Sequence, residues 1–224
     1  MSERISCDLL ELRPLTDNIL CMRLLPQYPF KYRAGQYVEL YQSNGDHRPY
    51  SIANAPVADG SIEFHIRYKI SDPFPDDLLN AVKQEKSLDL TGPYGHCVLP
   101  DTKPAQIVLI CGGTGFAPHK ALIEECIEEQ AKTDIHLFWS IRAKRDLYDL
   151  PLIERWQKEI ANFHFTPILT DQITKVDLGS VIAKEFPNLA NIHVYLAGPF
   201  PMLLAAKAAL LDLGLPDGQC YSDM

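Results

Sequence analysis

The sequence predicts an antiparallel β-barrel followed by an α/β domain with a doubly wound parallel sheet. Apolar and polar residues alternate with a period of two in the first hundred residues, which is typical of half-buried strands. Beyond residue 105, continuous apolar runs alternate with helical segments, as in a parallel sheet covered on both faces. The stretch DTKPA separates these patterns, so we place the boundary near Lys103 and Pro104, with domains at residues 1–102 and 103–224.

The clearest strand of the first half is SIEFHIRYKI, residues 61–70. Apolar side chains occupy one of its faces: Ile62, Phe64, Ile66, Tyr68 and Ile70. Polar side chains occupy the opposite face, which we expect to point outward: Glu63, His65, Arg67 and Lys69. Weaker strands are predicted at NILCMRLLP (18–26) and YVELY (37–41), with turn signals at SNGD and ADG and a helix at DDLLNAVKQEK (76–86).

The second half alternates strand and helix throughout. Its first strand is the uninterrupted apolar run QIVLIC (106–111). The following segments are, in chain order, helix HKALIEECIEEQAK, strand IHLFWS, helix DLPLIERWQKEI, strand FHFTPIL, helix SVIAKEF, strand IHVYLAG and helix PMLLAAKAALLDLG. This order favours a parallel sheet with helices on both faces.

Composition limits the function. The chain has 224 residues and a formal net charge of −8, which gives no electrostatic basis for general nucleic-acid binding. It contains no apolar run of membrane-spanning length, and its N-terminus has no secretory signal pattern. We therefore expect a cytoplasmic protein without a membrane or nucleic-acid partner.

The cysteines and histidines do not form a metal-binding motif in the sequence. The six cysteines are dispersed, with no pair two or three residues apart: Cys7, Cys21, Cys97, Cys111, Cys126 and Cys220. The seven histidines show no HExxH-like spacing. We predict reduced, mostly buried thiols and no metal.

A glycine-rich turn, CGGTGFAP (111–118), follows the first parallel strand. Gly112, Gly113 and Gly115 let the backbone approach an anion, and the next helix begins with unpaired N–H groups. Pro118 suits a first helical turn. This pattern favours nucleotide binding, although any tight strand-to-helix turn also favours glycine.

A second glycine turn lies in YLAGPFPM (195–202), after the fourth parallel strand. In the usual doubly wound order this strand neighbours the first, so both turns meet where ligands bind. The alternative is that Gly198 and Pro199 only end the strand.

The segment RPYSIANAP (48–56) places a cation, an aromatic ring and a hydroxyl within four residues. Arg48, Tyr50 and Ser51 would suit a ligand that has a phosphate, a flat ring and a polar ring edge. Alternatively, Arg48 is a solvated charge, Tyr50 a core aromatic and Ser51 a turn residue.

Eight segments, in order, resemble the ferredoxin–NADP reductase superfamily, and within it the NAD(P)H:flavin reductases. They are AGQYVEL, RPYSIANAP, HIR, GPYGHCVL, CGGTGFAP, IRAKRDLYDL, AGPFPM and CYSD. The resemblance implies a Greek-key, flavin-binding barrel followed by a nicotinamide-nucleotide domain. It also implies that hydride passes from nicotinamide C4 to flavin N5.

The resemblance assigns the flavin side of the site to the barrel. Arg48 would pair with flavin phosphate, Tyr50 would lie against the isoalloxazine ring, and Ser51 would hydrogen-bond near N5; Tyr50 and Ser51 are the catalytic candidates. The remaining flavin-binding candidates are Pro49, His65, Ile66 and Arg67. For His65, an outward-facing strand residue without a ligand is an equal alternative.

The resemblance assigns the nicotinamide nucleotide to the second domain. The candidate residues are Gly112, Gly113, Thr114, Gly115, Phe116, Pro118, Ser140, Arg142, Gly198, Pro199, Met202, Tyr221 and Ser222. Tyr221 could instead be an ordinary aromatic on a last edge strand. Arg142, Lys144 and Arg145 favour NADPH, but Arg142 also matches a family arginine found with either nucleotide, so NADH stays open.

The chain departs from the family pattern in three places. The region of a second phosphate loop, GxxS, reads SDPFPDDLL, where Asp76 and Asp77 would repel a diphosphate or simply cap a helix. Ala197 stands where many relatives have cysteine, and the chain stops at YSDM. FAD or FMN is therefore expected to bind loosely, as a substrate.

Three functional hypotheses follow. The first is an NAD(P)H-dependent flavin oxidoreductase that releases reduced flavin. The second is a flavoprotein reductase that passes electrons to a separate ferredoxin, flavodoxin or oxygenase. The third is a non-catalytic flavin- or nucleotide-binding subunit of a larger complex. Turnover with free flavin separates the first from the third.

Overall fold

The computed structural model describes residues 3–68, 72–170 and 178–223, and its first half is a six-stranded antiparallel sheet. The strands are β1 (Ile5–Thr16), β2 (Ile19–Pro26), β3 (Tyr37–Tyr41), β4 (His47–Ser51), β5 (Ile62–Arg67) and β6 (Ser87–Tyr94). Their order is β4-β3-β6-β1-β2-β5. The N–H of Ala53 donates to the Glu63 carbonyl across 2.8 Å, which joins the two sheet edges and closes the barrel. Lys69 and Ile70, the end of the predicted alternation, lie outside the described residues.

Helix α1 (Pro73–Glu85) interrupts the barrel three residues earlier than the sequence predicts. Asp72 is its N-cap and accepts a hydrogen bond from the N–H of Phe74, and Pro73 occupies the first helical position. The helix packs Phe74, Leu78 and Val82 onto the barrel core. The alternative that Asp76 and Asp77 cap the helix is therefore wrong, because both residues lie within the helix, on its exposed face.

The second half is a five-stranded parallel sheet in the order β11-β10-β7-β8-β9. Its elements are β7 (Gln106–Gly112), α2 (Phe116–Glu128), β8 (Asp134–Ile141), α3 (Leu150–Glu159), β9 (Phe163–Leu169), α4 (Leu178–Glu185), β10 (His193–Ala197), α5 (Phe200–Asp212) and β11 (Cys220–Tyr221). Successive residues of β7 point into two different cores. Ile107 packs beneath α2 and α3, and Val108 packs beneath α4 and α5. The predicted fold class is confirmed, and β10 lies beside β7 as expected.

The outward face of β5 is not exposed to solvent. His65 is buried and Glu63 is largely covered, because residues of the second domain pack over them. The prediction of a half-buried strand is wrong here, since the period of two identifies the two faces but not what covers each face. Ile19, Ala34 and Leu99 of the barrel likewise join the apolar core beneath α2 and α3.

The proposed domain boundary after residue 102 falls between β6 and β7. All six cysteines lie in the described residues and are free thiols, four of them buried. Within the described part of the chain, no helix is long and apolar enough to cross a membrane.

Candidate active site

A cleft of about 440 Å³ separates the barrel from the parallel sheet. It lies at the carboxyl ends of β7 and β10, where doubly wound sheets bind their ligands. The structure brings eleven predicted site residues to its walls: Pro49, Tyr50, Ser51, His65, Arg67, Gly112, Thr114, Gly115, Pro118, Gly198 and Pro199. Both domains therefore contribute to one site.

The end of β4 forms the barrel wall of the cleft. Tyr50 is half-buried against the barrel core, and Ser51 follows it as the last residue of the strand. Burial raises the pKa of Tyr50 to about 12, so its phenol stays protonated at neutral pH. Tyr50 and Ser51 together present an aromatic surface beside a hydroxyl.

The glycine loop forms the opposite wall. Gly113 has a φ of +56°, and a Cβ there would lie 2.9 Å from Nη2 of Arg67, so the guanidinium lies against the loop. The Nε atom of Arg67 is buried and has no hydrogen-bond partner among the described residues. Helix α2 begins at Phe116 without a side-chain cap from the described chain. The guanidinium of Arg67 and the positive end of the α2 dipole thus lie on the same side of the loop, which suits an anion.

The two glycine turns pack against each other. A Cβ at Gly115 would overlap the carbonyl of Ala197, and one at Gly198 would lie 2.9 Å from the nitrogen of Gly112. A Cβ at Gly112 would lie 2.8 Å from Sδ of Met202. Close packing alone therefore requires these glycines, and their presence is not by itself evidence for a ligand.

A polar network behind the cleft joins the two domains. His65 lies with Nδ1 3.1 Å from the Tyr148 hydroxyl and Nε2 3.0 Å from Glu63. The buried ammonium of Lys120, on α2, lies 3.2 Å from Glu63 and 2.7 Å from Glu124. Burial alone would raise the pKa of Glu63, but the His65 hydrogen bond and the Lys120 charge outweigh it and lower the pKa to about 2. Both ring nitrogens of His65 thus have protein partners.

Several predicted residues lie elsewhere. Ile66 is fully buried in the barrel core, and the Phe116 ring stacks on Trp139 with centroids 4.2 Å apart, so neither side chain lines the cleft. Ser140, the penultimate residue of β8, pairs with Gly112, whereas Arg142, directly after the strand, is exposed. Met202 supports the glycine turns from behind.

Arg48 lies outside the cleft and already has a partner. Its Nη1 is 2.6 Å from Oδ2 of Asp72, and the guanidinium lies 4.5 Å from the ring centre of Phe74. The hydrogen bond to Asp72 raises the pKa of Arg48. Arg48, which was predicted to bind a phosphate, is thus paired with Asp72, the residue that caps α1.

The C-terminal segment runs along the edge of the parallel sheet. Tyr221 pairs with β10 and stacks on Tyr195 at 4.7 Å, and its hydroxyl lies 3.0 Å from His193 Nδ1. Tyr221 therefore lies on a last edge strand, which was the alternative to a role at the nicotinamide site. Ser222, the next residue, is half-buried. Asp223 reaches the cleft and accepts a hydrogen bond from the N–H of His96.

Sequence reasoning missed part of the lining of the cleft. Among the missed residues are Gly35, Cys97, His119, Leu122, Tyr195 and Asp223. Gly35 and Cys97 lie in the family-like segments AGQYVEL and GPYGHCVL, which could have indicated them. His119, directly after the glycine loop, is buried, its Nδ1 has no partner in the described structure, and burial lowers its pKa to about 3.

Comparison with known families agrees with this geometry. Residues 9–99 match the oxidoreductase FAD-binding domain, and residues 109–208 match the oxidoreductase NAD-binding domain. The chain belongs to the ferredoxin–NADP reductase superfamily. Its barrel is the flavin domain and its parallel sheet is the nicotinamide-nucleotide domain, in the order that the sequence predicted.

Three members of this superfamily illustrate the likeness. A CDP-6-deoxy-L-threo-D-glycero-4-hexulose-3-dehydrase reductase of Yersinia pestis is 34% identical over 92% of this chain, which spans 63% of that protein. An NAD(P)H-flavin reductase of Vibrio harveyi is 27% identical over 91% of this chain and 90% of its own length. The cytochrome P450 reductase GcoB of Amycolatopsis superimposes with a TM-score of 0.85 and 25% identity, covering 98% of this chain and 68% of its own.

The residues of the cleft fit a flavin and a nicotinamide nucleotide. The half-buried ring of Tyr50 suits a flat aromatic ligand. The guanidinium of Arg67, whose Nε has no partner among the described residues, lies beside the start of α2 and suits a phosphate group. The volume is in the range usual for ligand sites of about 300–1,000 Å³. The two family models show flavin and NAD(P)H as the cofactors of this chain.

Proposed function

We propose that this chain is an NAD(P)H:flavin oxidoreductase that takes a flavin from solution, reduces it and releases it. The observation that carries the proposal is the cleft in which Tyr50 and Ser51 face the glycine loop across the domain interface. The bound nucleotides supply the chemistry, a hydride transfer from nicotinamide C4 to flavin N5, which requires no general base.

The protein residues bind and orient. Tyr50 offers its ring to the isoalloxazine, and the Ser51 hydroxyl donates a hydrogen bond near the reacting edge. Arg67 and the positive end of α2 hold phosphate oxygens. The cleft lies between the two domains, so its two walls would hold the flavin and nicotinamide rings in alignment.

Weak flavin binding is supported at the start of α1. Asp72 caps this helix and pairs with Arg48, and the exposed Asp76 and Asp77 add negative charge to the first turns. A flavin phosphate would have to displace a carboxylate from Arg48. We therefore favour flavin as a substrate over flavin as a permanently bound group.

We propose that the protein prefers NADPH as its nucleotide. Arg142, Lys144 and Arg145 follow β8 on an exposed turn, where a cation can meet a 2′-phosphate. NADH is the alternative. The dispersed, free cysteines support a cytoplasmic location, which we also propose.

A second candidate is an electron-transfer reductase for a separate carrier protein or oxygenase. It is favoured by the relatives that bear such names, the Yersinia dehydrase reductase and the Amycolatopsis P450 reductase. In that case the flavin would stay bound between turnovers.

The deciding experiment is the visible absorption spectrum of the purified, desalted protein, followed by NAD(P)H oxidation with and without added flavin. A colourless protein that turns over only with added riboflavin, FMN or FAD supports the reductase that releases flavin. A flavin band near one equivalent per chain favours the electron-transfer reductase. A colourless protein without turnover contradicts both and leaves a non-catalytic subunit.

The Ser51→Ala variant tests the site itself. We expect kcat for flavin reduction to fall about tenfold or more, because the hydrogen bond near the reacting edge is lost, while KM for flavin changes little. Ser43→Ala, which removes an exposed hydroxyl bonded to Glu85, is the matched control and should match the wild type. An unchanged kcat in a folded Ser51→Ala protein would refute the assignment.

A further inference from the structure

Three side chains that ligate metals meet at the amino ends of the parallel strands, opposite the cleft. Asp134 and His136 lie on β8, and His164 lies on β9. Nε2 of His136 is 3.3 Å from Oδ2 of Asp134, and Nε2 of His164 is 3.1 Å from Oδ1. One candidate ligand atom from each residue lies within 4.8 Å of the others.

The strand register holds this cluster in place. His136 is the direct neighbour of His164 across β8 and β9, and Asp134 shares the face of His136 because it lies two residues earlier. Gln106 donates to Oδ2 of Asp134 across 3.1 Å, which orients the carboxylate from β7. The Phe186 ring packs edge-on against His136, with centroids 4.8 Å apart. The three groups are therefore set on strands and supported by neighbouring side chains.

The spacing of the three side chains is compatible with one shared ion. Bonds of about 2.0–2.2 Å to nitrogen and oxygen place neighbouring ligands roughly 3.3–3.5 Å apart in a tetrahedron. Nε2 of His136 and Nε2 of His164 contact different oxygens of Asp134, so a small rotation of the carboxylate is needed to bring one oxygen to the ion. The His164 side chain is 51% exposed and that of His136 16%, so an ion can enter and water can complete its coordination.

We propose that Asp134, His136 and His164 bind a divalent transition-metal ion of the zinc type, for which two imidazoles and one carboxylate are suitable ligands. The ion ties β9, an edge strand of the sheet, to β8. It lies at the opposite end of the strands from the cleft, so its role is to stabilise the nucleotide domain rather than to take part in hydride transfer.

The test is a calorimetric titration of chelator-treated full-length protein with zinc chloride. We expect one zinc per chain, and a rise in Tm of about 5 °C or more when free zinc is a hundredfold above Kd. His164→Ala and Asp134→Asn should bind at least tenfold more weakly. The matched control is His47→Ala, which removes an exposed imidazole beside a single carboxylate, Glu39, at 3.5 Å.

Cobalt(II) substitution identifies the ligands, because thiolate ligands give a charge-transfer band that imidazole and carboxylate do not. We expect no such band. Absence of zinc uptake by the wild type, a thiolate band, or an equal loss of binding in His47→Ala would each overturn the proposal. NAD(P)H oxidation should be the same in His164→Ala and wild type, so this test is independent of the proposed function.

Discussion

Arg48 is the residue at which the flavin assignment is most directly testable. Its guanidinium is bound to Asp72 at 2.6 Å, so a phosphate must compete with a carboxylate for the same donor. Asp72 also caps α1, and asparagine caps helices about as well as aspartate. The Asp72→Asn substitution can therefore reduce the competition while leaving the helix start intact.

We expect Asp72→Asn to lower KM for FMN several-fold and Arg48→Ala to raise it about tenfold or more, as for a hydrogen bond between charged groups. Riboflavin has no phosphate, so its KM should change less than twofold in both variants. Arg13→Ala, which removes a similarly exposed arginine paired with Glu11, is the control. Equal changes for FMN and riboflavin would contradict a phosphate contact at Arg48.

His119 is a buried imidazole whose Nδ1 lacks a partner in the described chain. Burial lowers its pKa from 6.5 to about 3, so the unfolded chain binds a proton that the folded protein does not. The free energy of unfolding should therefore fall as the pH drops from 6.5 towards 3.

We predict that His119→Leu is at least as stable as wild type at pH 7, because it removes an unsatisfied polar atom. It should also lose less stability between pH 6.5 and pH 5, as measured by urea unfolding at several pH values. The exposed His96→Ala variant should keep the wild-type slope. A His119→Leu protein with the same pH dependence as wild type would show that His119 is not buried as a neutral group.

Helix α2 has two roles that depend on each other. The glycine loop leads directly into its N-terminus. One turn later, the Lys120 side chain reaches the barrel and donates a hydrogen bond to the carbonyl of Ala53 across 3.0 Å. Glu124, on the next turn, accepts from the N–H of Ala55. The helix therefore connects the nucleotide loop to the segment that directly follows Ser51, and this connection determines the spacing across the cleft.

Replacing Lys120 with methionine should cost about 3–5 kcal/mol of unfolding free energy, because Glu63 would stay buried without its cation. Urea unfolding measures this loss. Lys83→Met, on the exposed face of α1, should change stability by less than about 0.5 kcal/mol. A change of that small size at Lys120 would mean that the buried ion pairs do not join the domains.

At the scale of the whole molecule, the two domains share buried surface. Ile19, Ala34 and Leu99 of the barrel pack in the same apolar cluster as the core of the nucleotide domain, and His65 reaches Tyr148 across the interface. Such an interface favours cooperative unfolding of both halves, although they are built from different sheets.

This coupling can be measured with the native tryptophans. Trp139 and Trp156, the two tryptophans of the chain, both lie in the nucleotide domain, whereas circular dichroism reports on both domains. We expect the two signals to give one midpoint in wild type and to separate in Lys120→Met. Distinct midpoints in the wild-type protein would contradict the cooperative interface.

The elements and their order could be predicted because they depend on residues that are near in sequence. The period of two in residues 61–67 and the apolar run 106–111 each predict a strand from local pattern alone, although neither pattern says what covers its faces. The segments RPYSIANAP and CGGTGFAP could be assigned to one site only through the family resemblance, because they are far apart in the sequence. Shorter strands such as β4 and β11 have too little pattern to be recognised this way.

The sequence by itself therefore determined the fold class, the family and eleven of the residues that line the cleft. Only the tertiary structure decided that His65 is covered by Tyr148, that Arg48 is held by Asp72, and that His136 lies beside His164. These contacts join residues 24 to 83 positions apart. Their existence depends on strand register and domain packing, which no local pattern of apolar and polar residues encodes.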